Sequence, residues 1–106
     1  MPRFIYLLLV TLTCQAVCAG KLPAERQQEL EHVLLQDCGS CHGMRLTGGL
    51  GPALTATALA GKSRELLFNT IREGRSGTPM PPWKGLLDDR EIDWLVDYLL
   101  TREQAP

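Results

Sequence analysis

The sequence predicts an all-α chain, and three stretches carry that prediction. Residues 88–100 repeat apolar side chains at helical spacing, residues 24–37 are good helix formers behind a proline, and a third helical stretch opens at Ser63 and closes at Gly74. No βαβ pattern is found. The 106 residues, with 11 basic against 12 acidic side chains, indicate one small domain. An apolar content of 44% is ordinary for a globular protein. A core of this size gains from a staple. There is no basic excess, arginine-rich run or aromatic-basic repeat, which argues against nucleic-acid binding.

Residues 1–19 have the form of a targeting signal. Arg3 supplies a positive start, Phe4 to Leu12 is an apolar run, and Val17-Cys18-Ala19 offers small residues for cleavage before Gly20. The run is short for a membrane span, so the mature chain is expected to have none; a retained anchor is the rival reading. Cleavage removes Cys14 and Cys18 and leaves only Cys38 and Cys41, so no structural disulfide remains. It also removes Arg3, leaving ten basic against twelve acidic residues, a formal charge of about −2.

The first helix is expected from Ala24 to about Asp37, with Pro23 suited to its start. Leu30, Val33, Leu34 and Asp37-Cys38 form its apolar stripe, while Glu25, Gln28, Glu29 and Gln36 take the other face. His32 reads as a helix-flank histidine rather than a metal ligand.

That helix delivers the chain to Cys38-Gly39-Ser40-Cys41-His42, the attachment pattern of a c-type haem. Each thiol can add across a vinyl group as a thioether, and the adjacent imidazole can bind the iron. A thioredoxin-like redox pair would need a βαβ context, and a zinc site would need two further ligands. Export agrees with haem attachment outside the cytoplasm. One such motif implies one haem c per chain, covalently bound.

Beyond His42 the chain turns irregular around Gly43, Gly48, Gly49 and Gly51. The Pro52 carbonyl can accept the Nδ1 proton of His42 and fix its ring; a plain loop turn is the other reading. Ser63 caps a short helix whose inner face is Leu66, Leu67, Thr70 and Ile71, with Phe68 adding to the core. In Gly77-Thr78-Pro79-Met80-Pro81-Pro82-Trp83 the prolines stiffen an extended loop. A rigid loop suits a weak thioether ligand, because little ordering entropy is lost on binding iron. Met80 is therefore the candidate sixth ligand, 38 residues beyond His42 and able to reach the far face. Met44 is the rival but sits too near His42, and is expected to pack. Trp83 can pack on the haem edge or donate its N–H to a propionate.

The last helix carries a box-like cap in Asp88 and Glu91, a staple from Leu87 to Ile92, and a stripe of Ile92, Leu95, Val96, Leu99 and Leu100. Asp89, Asp93 and Asp97 line an exposed side, and Trp94 and Tyr98 are expected to close against the first helix. Thr101 to Pro106 should fray.

Together these features resemble the class I cytochromes c. The resemblance covers the chain from the first helix through Cys38-x-x-Cys41-His42, Gly51-Pro52 and the Met80 loop to Trp94-Leu95-Val96-Asp97-Tyr98-Leu99. It implies a small all-α fold of three to four helices around one covalently attached haem, in a domain spanning 20–106. Its first and last helices cross near the haem; His42 and Met80 are axial ligands, and Cys38 and Cys41 the thioether residues. Asp37 to Met44, Thr47 to Leu54 and Gly77 to Trp83 look like the small periplasmic NirC-type cytochromes that accompany haem d1 nitrite reductase. That narrower likeness implies electron donation to the reductase, with accessory work in haem d1 maturation or reductase assembly as the alternative. A haem enzyme or sensor with a labile sixth ligand is a further alternative. Arg72, Arg75 and Lys84 flank Met80 and are candidates to steer an acidic redox partner.

Overall fold

The computed structural model describes residues 20–102. The signal reading of residues 1–19 lies outside them, as do residues 103–106 of the expected frayed end. The described chain is helical, with no strand: α1 (Ala24–Val33), a π-helical turn (Leu34–Cys38), α2 (Gly39–His42), α3 (Ala56–Leu59), α4 (Arg64–Glu73) and α5 (Asp89–Thr101).

The first helix does not stop near Asp37. Right-handed helical backbone runs from α1 through Val33, Leu34 and Cys38 to Gly39, so one rod reaches His42. Leu30, Leu34, Cys38 and His42 are each four residues apart. On a regular α-helix that spacing drifts by about 40° per step, since a turn takes 3.6 residues. The wider π turn takes up drift between Leu34 and Cys38, keeping the cysteine beside the core leucines.

The core is aliphatic. Leu30 and Leu34 of the rod, Leu59 of α3, Leu87 and α5 residues Ile92, Leu95, Val96 and Leu99 are buried. Leu46 completes it from the loop after α2. It sits fully buried in left-handed backbone (φ 58°), a conformation that costs a side-chain-bearing residue about 1–2 kcal/mol. Two 2.8 Å backbone bonds hold it there, its own N–H donating to Gly43 O and Leu54 N–H donating to Leu46 O.

α5 forms as its end chemistry dictates. Glu91 N–H donates to Asp88 Oδ1 at 2.9 Å and Asp88 N–H to Glu91 Oε2 at 3.0 Å, a reciprocal capping box. Leu87 and Ile92, flanking that cap, are both buried in the core cluster. Leu100 departs from the expected stripe and is 40% exposed. Trp94 and Tyr98 stack on each other, centroids 5.1 Å apart, and lean on the core.

The acidic side of α5 is exposed, as expected, and it is also paired across to α4. Arg64 of α4 pairs with Asp93 at 2.8 Å and with Asp97, and Arg72 pairs with Asp89 at 2.9 Å. Arg26 of α1 pairs with Glu91 at 2.6 Å, tying the first helix to the cap of the last. The Arg26 guanidinium, aided by the Asp88 amide and opposed by burial, holds the Glu91 carboxyl below the usual glutamate range.

Candidate functional site

A cavity of about 810 Å³ opens between the rod, the loop after α2, α4 and the loop joining α4 to α5. Cys38, Cys41, His42, Pro52, Met80 and Trp83 all line it. His32 and Met44 do not: His32 is exposed on α1, and Met44 is 58% exposed instead of packed, its Sδ lying over Gly39.

His42 ends the rod. Its Nδ1 lies 2.6 Å from the Pro52 carbonyl, which accepts the ring proton and leaves Nε2 as the free donor atom. Gly51 makes this approach possible. A Cβ on Gly51 would fall 2.9 Å from both Cε1 and Nδ1 of the imidazole. Within the glycine cluster that follows His42, Gly51 thus gives room to the ring itself.

Burial, and secondarily the Asp37 charge, pushes the Cys38 thiol up to about 11. A redox-active pair at this spacing instead depends on a depressed thiol. Cys38 therefore stays a neutral thiol at neutral pH, which argues against the thioredoxin-like reading.

Met80 reaches the cavity from a loop held in shape by its own hydrogen bonds. Thr78 Oγ1 donates to Arg75 O at 2.7 Å and accepts from Met80 N–H at 3.3 Å, while Arg75 N–H donates to Met80 O at 3.2 Å. The loop returns onto the end of α4, where Trp83 N–H donates to Ile71 O at 3.1 Å and Lys84 N–H to Arg72 O at 3.2 Å. Those bonds satisfy carbonyls that a helix end otherwise leaves without partners. The Trp83 ring is half-buried against the core as well as facing the cavity.

The predicted inner face of α4 is found, but it faces this cavity. Leu66, Leu67, Thr70 and Ile71 line it, and no α4 residue is buried. The rest of the lining is largely apolar, with Leu34, Leu54 and Leu59 prominent. A chamber of this size with an apolar lining and a few polar groups is what a cofactor site requires. Two thiols, an imidazole and a thioether are the donor set that haem c needs. The residues fit the group.

Comparison with known proteins agrees. The family whose sequence model is described as "Cytochrome C oxidase, cbb3-type, subunit III" matches residues 25–99. A "Cytochrome c55X" of Pseudomonas aeruginosa is 64% identical over 83 residues, covering 78% of this chain and 70% of that protein. The chain belongs to this family of class I c-type cytochromes. Membership implies haem c as the cofactor. A solved "c-type cytochrome NirC" superposes with a TM-score of 0.76 at 62% identity, covering 80% of this chain and 100% of that one. A "Dihydro-heme d1 dehydrogenase" of Pseudomonas aeruginosa is 36% identical over 104 residues, 98% of this cytochrome but 19% of the dehydrogenase.

Two of the three cations expected to steer a partner are engaged. Arg72 pairs with Asp89 and Glu73, and Lys84 pairs with Glu73 at 2.8 Å, so neighbouring carboxylates offset both charges. Arg75 lines the cavity, as does Lys62, which sequence reasoning missed. Neither has a carboxylate partner among the described residues. No local signal singles out Lys62, because only the fold brings it to the rim. No helix among the described residues is long and apolar enough to cross a membrane.

Proposed function

We propose that this cytochrome is a periplasmic, exported carrier of single electrons with one covalently bound haem c, and that haem d1 nitrite reductase is its acceptor. One observation carries the reading: Cys38, Cys41, His42 and Met80 line a single cavity. Haem c, when bound, supplies one-electron cycling of iron between its ferrous and ferric states. Cys38 and Cys41 would hold the group by thioethers, and His42 and Met80 would bind its iron. With both iron ligands supplied by the chain, no substrate site would remain at the metal, which favours carriage over catalysis. Pro52 fixes the His42 ring and strengthens its donation through Nε2. Met80 favours the reduced form relative to a second histidine, and the apolar lining disfavours added positive charge. Trp83 takes the haem edge or a propionate.

Arg75 and Lys62, against the single carboxylate Asp37, give the cavity lining a net positive charge, which suits a partner presenting carboxylates. The likeness to a NirC cytochrome supports the choice of nitrite reductase as acceptor. Stopped-flow mixing of reduced cytochrome with oxidised nitrite reductase tests it. The expected result is fast electron transfer that slows as salt rises, with Lys62→Gln and Arg75→Gln weakening the salt dependence. Absence of transfer at any ionic strength would remove the reductase as acceptor.

The likeness to a dihydro-heme d1 dehydrogenase favours a second reading, in which the cytochrome serves haem d1 maturation. On that reading it accepts electrons from such a dehydrogenase faster than it donates them to the reductase. The same mixing experiment, run with both proteins, separates the two.

A further inference from the structure

The loop that carries Met80 lies against one residue that sequence reasoning treated only as a helix stop. Gly74 follows α4 at φ 66° and ψ −166°, a region essentially confined to glycine. A Cβ there would fall 2.6 Å from Pro81 C, 2.7 Å from Met80 O and 2.7 Å from Pro82 N. All three are backbone atoms, so no side-chain rotation relieves the clash. On either side of this contact, Glu73 and Lys84 form an ion pair at 2.8 Å that closes the segment at its base. Within the same loop, Gly77 also has positive φ (77°), yet a Cβ there meets nothing within 4 Å.

We infer that Gly74 is the positioning residue for the sixth iron ligand: the Met80–Pro82 backbone seats directly on its Cα, the Glu73–Lys84 pair fastens the seat, and the lability of the methionine is set there. The inference rests on Met80 being that ligand. An external ligand enters only when the methionine is off, so its binding rate to the ferric protein reports the population of the released loop.

The test uses the holoprotein and imidazole as the entering ligand, followed by the loss of the far-red iron–methionine band. Gly74→Ala should speed imidazole binding by at least about tenfold, equivalent to about 1.4 kcal/mol, and weaken the band at equilibrium. Gly77→Ala also puts a side chain at positive φ, without the clash, and should stay within about twofold of the parent. Equal rates in the two variants, or a parental rate in Gly74→Ala, overturns the inference.

Should Gly74→Ala fail to yield holoprotein, Lys84→Gln decides. It should speed imidazole binding by about two- to fivefold at low ionic strength and by little at about 1 M salt, where the pair is screened. A parental rate at low salt removes the fastening role and the inference with it. Met80→Ala separates the underlying reading. A parental protein without the band, or a band that survives Met80→Ala, shows that Met80 is not the ligand whatever the glycine variants do.

Discussion

Single residues here act through close contacts rather than through charge. Gly51 shows it at His42, where the imidazole occupies the space a Cβ would need. Gly51→Ala should therefore turn the ring and lengthen its 2.6 Å bond to Pro52 O. That bond makes the imidazole a stronger donor, and stronger donation favours the oxidised iron. The variant's reduction potential is expected to rise by tens of millivolts, the scale of a hydrogen bond worth about 1 kcal/mol for one electron. Spectroelectrochemical titration measures it, and a parental potential would show that the ring has not moved. Met80→Ala acts in the opposite direction: loss of the thioether should lower the potential and let the ferrous protein bind carbon monoxide at neutral pH. An unaltered visible spectrum would rule out Met80 as a ligand. Both sets of residues were legible in sequence because they are local signals, a five-residue motif and a methionine among prolines. The exact contacts of Gly51 and Gly74 were not, since a glycine's reason depends on what folds against it.

Among the elements, α5 is the one its own sequence specifies most fully. Asp88, Glu91, Leu87 and the stripe from Ile92 to Leu99 all sit where local helix chemistry puts them. Asp88→Ala should cost about 1 kcal/mol of stability through the lost cap, and Leu95→Ala, at a site only 1% exposed, about 2–5 kcal/mol; urea denaturation reads both. Glu91 adds a pH dependence. Its carboxyl titrates below its ordinary 4.5, mainly because of Arg26, so the folded form binds that proton more weakly than the unfolded chain. The resulting stability is complete above 4.5 and is lost as pH falls through the folded value. The urea midpoint should therefore drop as pH falls below 4.5, and Glu91→Gln should flatten that slope; an equally steep slope in the variant would assign the effect elsewhere. Other elements were less legible. A π turn leaves no compositional mark, so the junction that joins the first helix to the turn carrying Cys38 and His42 could not be read. α3 spans four residues, too short for a periodicity. Leu46 lies in a loop and enters the core only because left-handed backbone turns it inward. The Arg64 and Arg72 pairs join α4 to α5 across long sequence separations, so the pairing of α5's exposed acidic side could not be read.

For the molecule as a whole, the cavity divides the described chain into two parts with different sources of order. The rod and α5 supply most of the buried residues, from Leu30 and Leu34 to Ile92, Leu95, Val96 and Leu99. α4 supplies none. Its apolar side lines the cavity, with only partial packing of Leu67, Phe68 and Ile71 on the core. Its polar links to α5 include the Arg64 and Arg72 pairs, partly exposed, and such pairs are worth about 0–1 kcal/mol each. The Met80 loop is in turn anchored on α4, through Trp83 N–H to Ile71 O and Lys84 N–H to Arg72 O. A group that binds the folded chain and not the unfolded one adds its binding free energy to folding, and adds it where its contacts lie. The cavity lining falls on α4 and the Met80 loop in greater proportion than on α5. Preparing the chain without haem, with Cys38→Ala, Cys41→Ala and His42→Ala removing both the attachment and the imidazole that would retain it, should therefore loosen the chain unevenly. Amide hydrogens of α4, together with those of Trp83 and Lys84, should lose most of their exchange protection, while those of Ile92, Leu95, Val96 and Leu99 retain a measurable part. Hydrogen exchange followed by NMR resolves the two groups. Equal loss in both would mean that one cooperative core spans the molecule and that α4 does not depend on the cavity for its order.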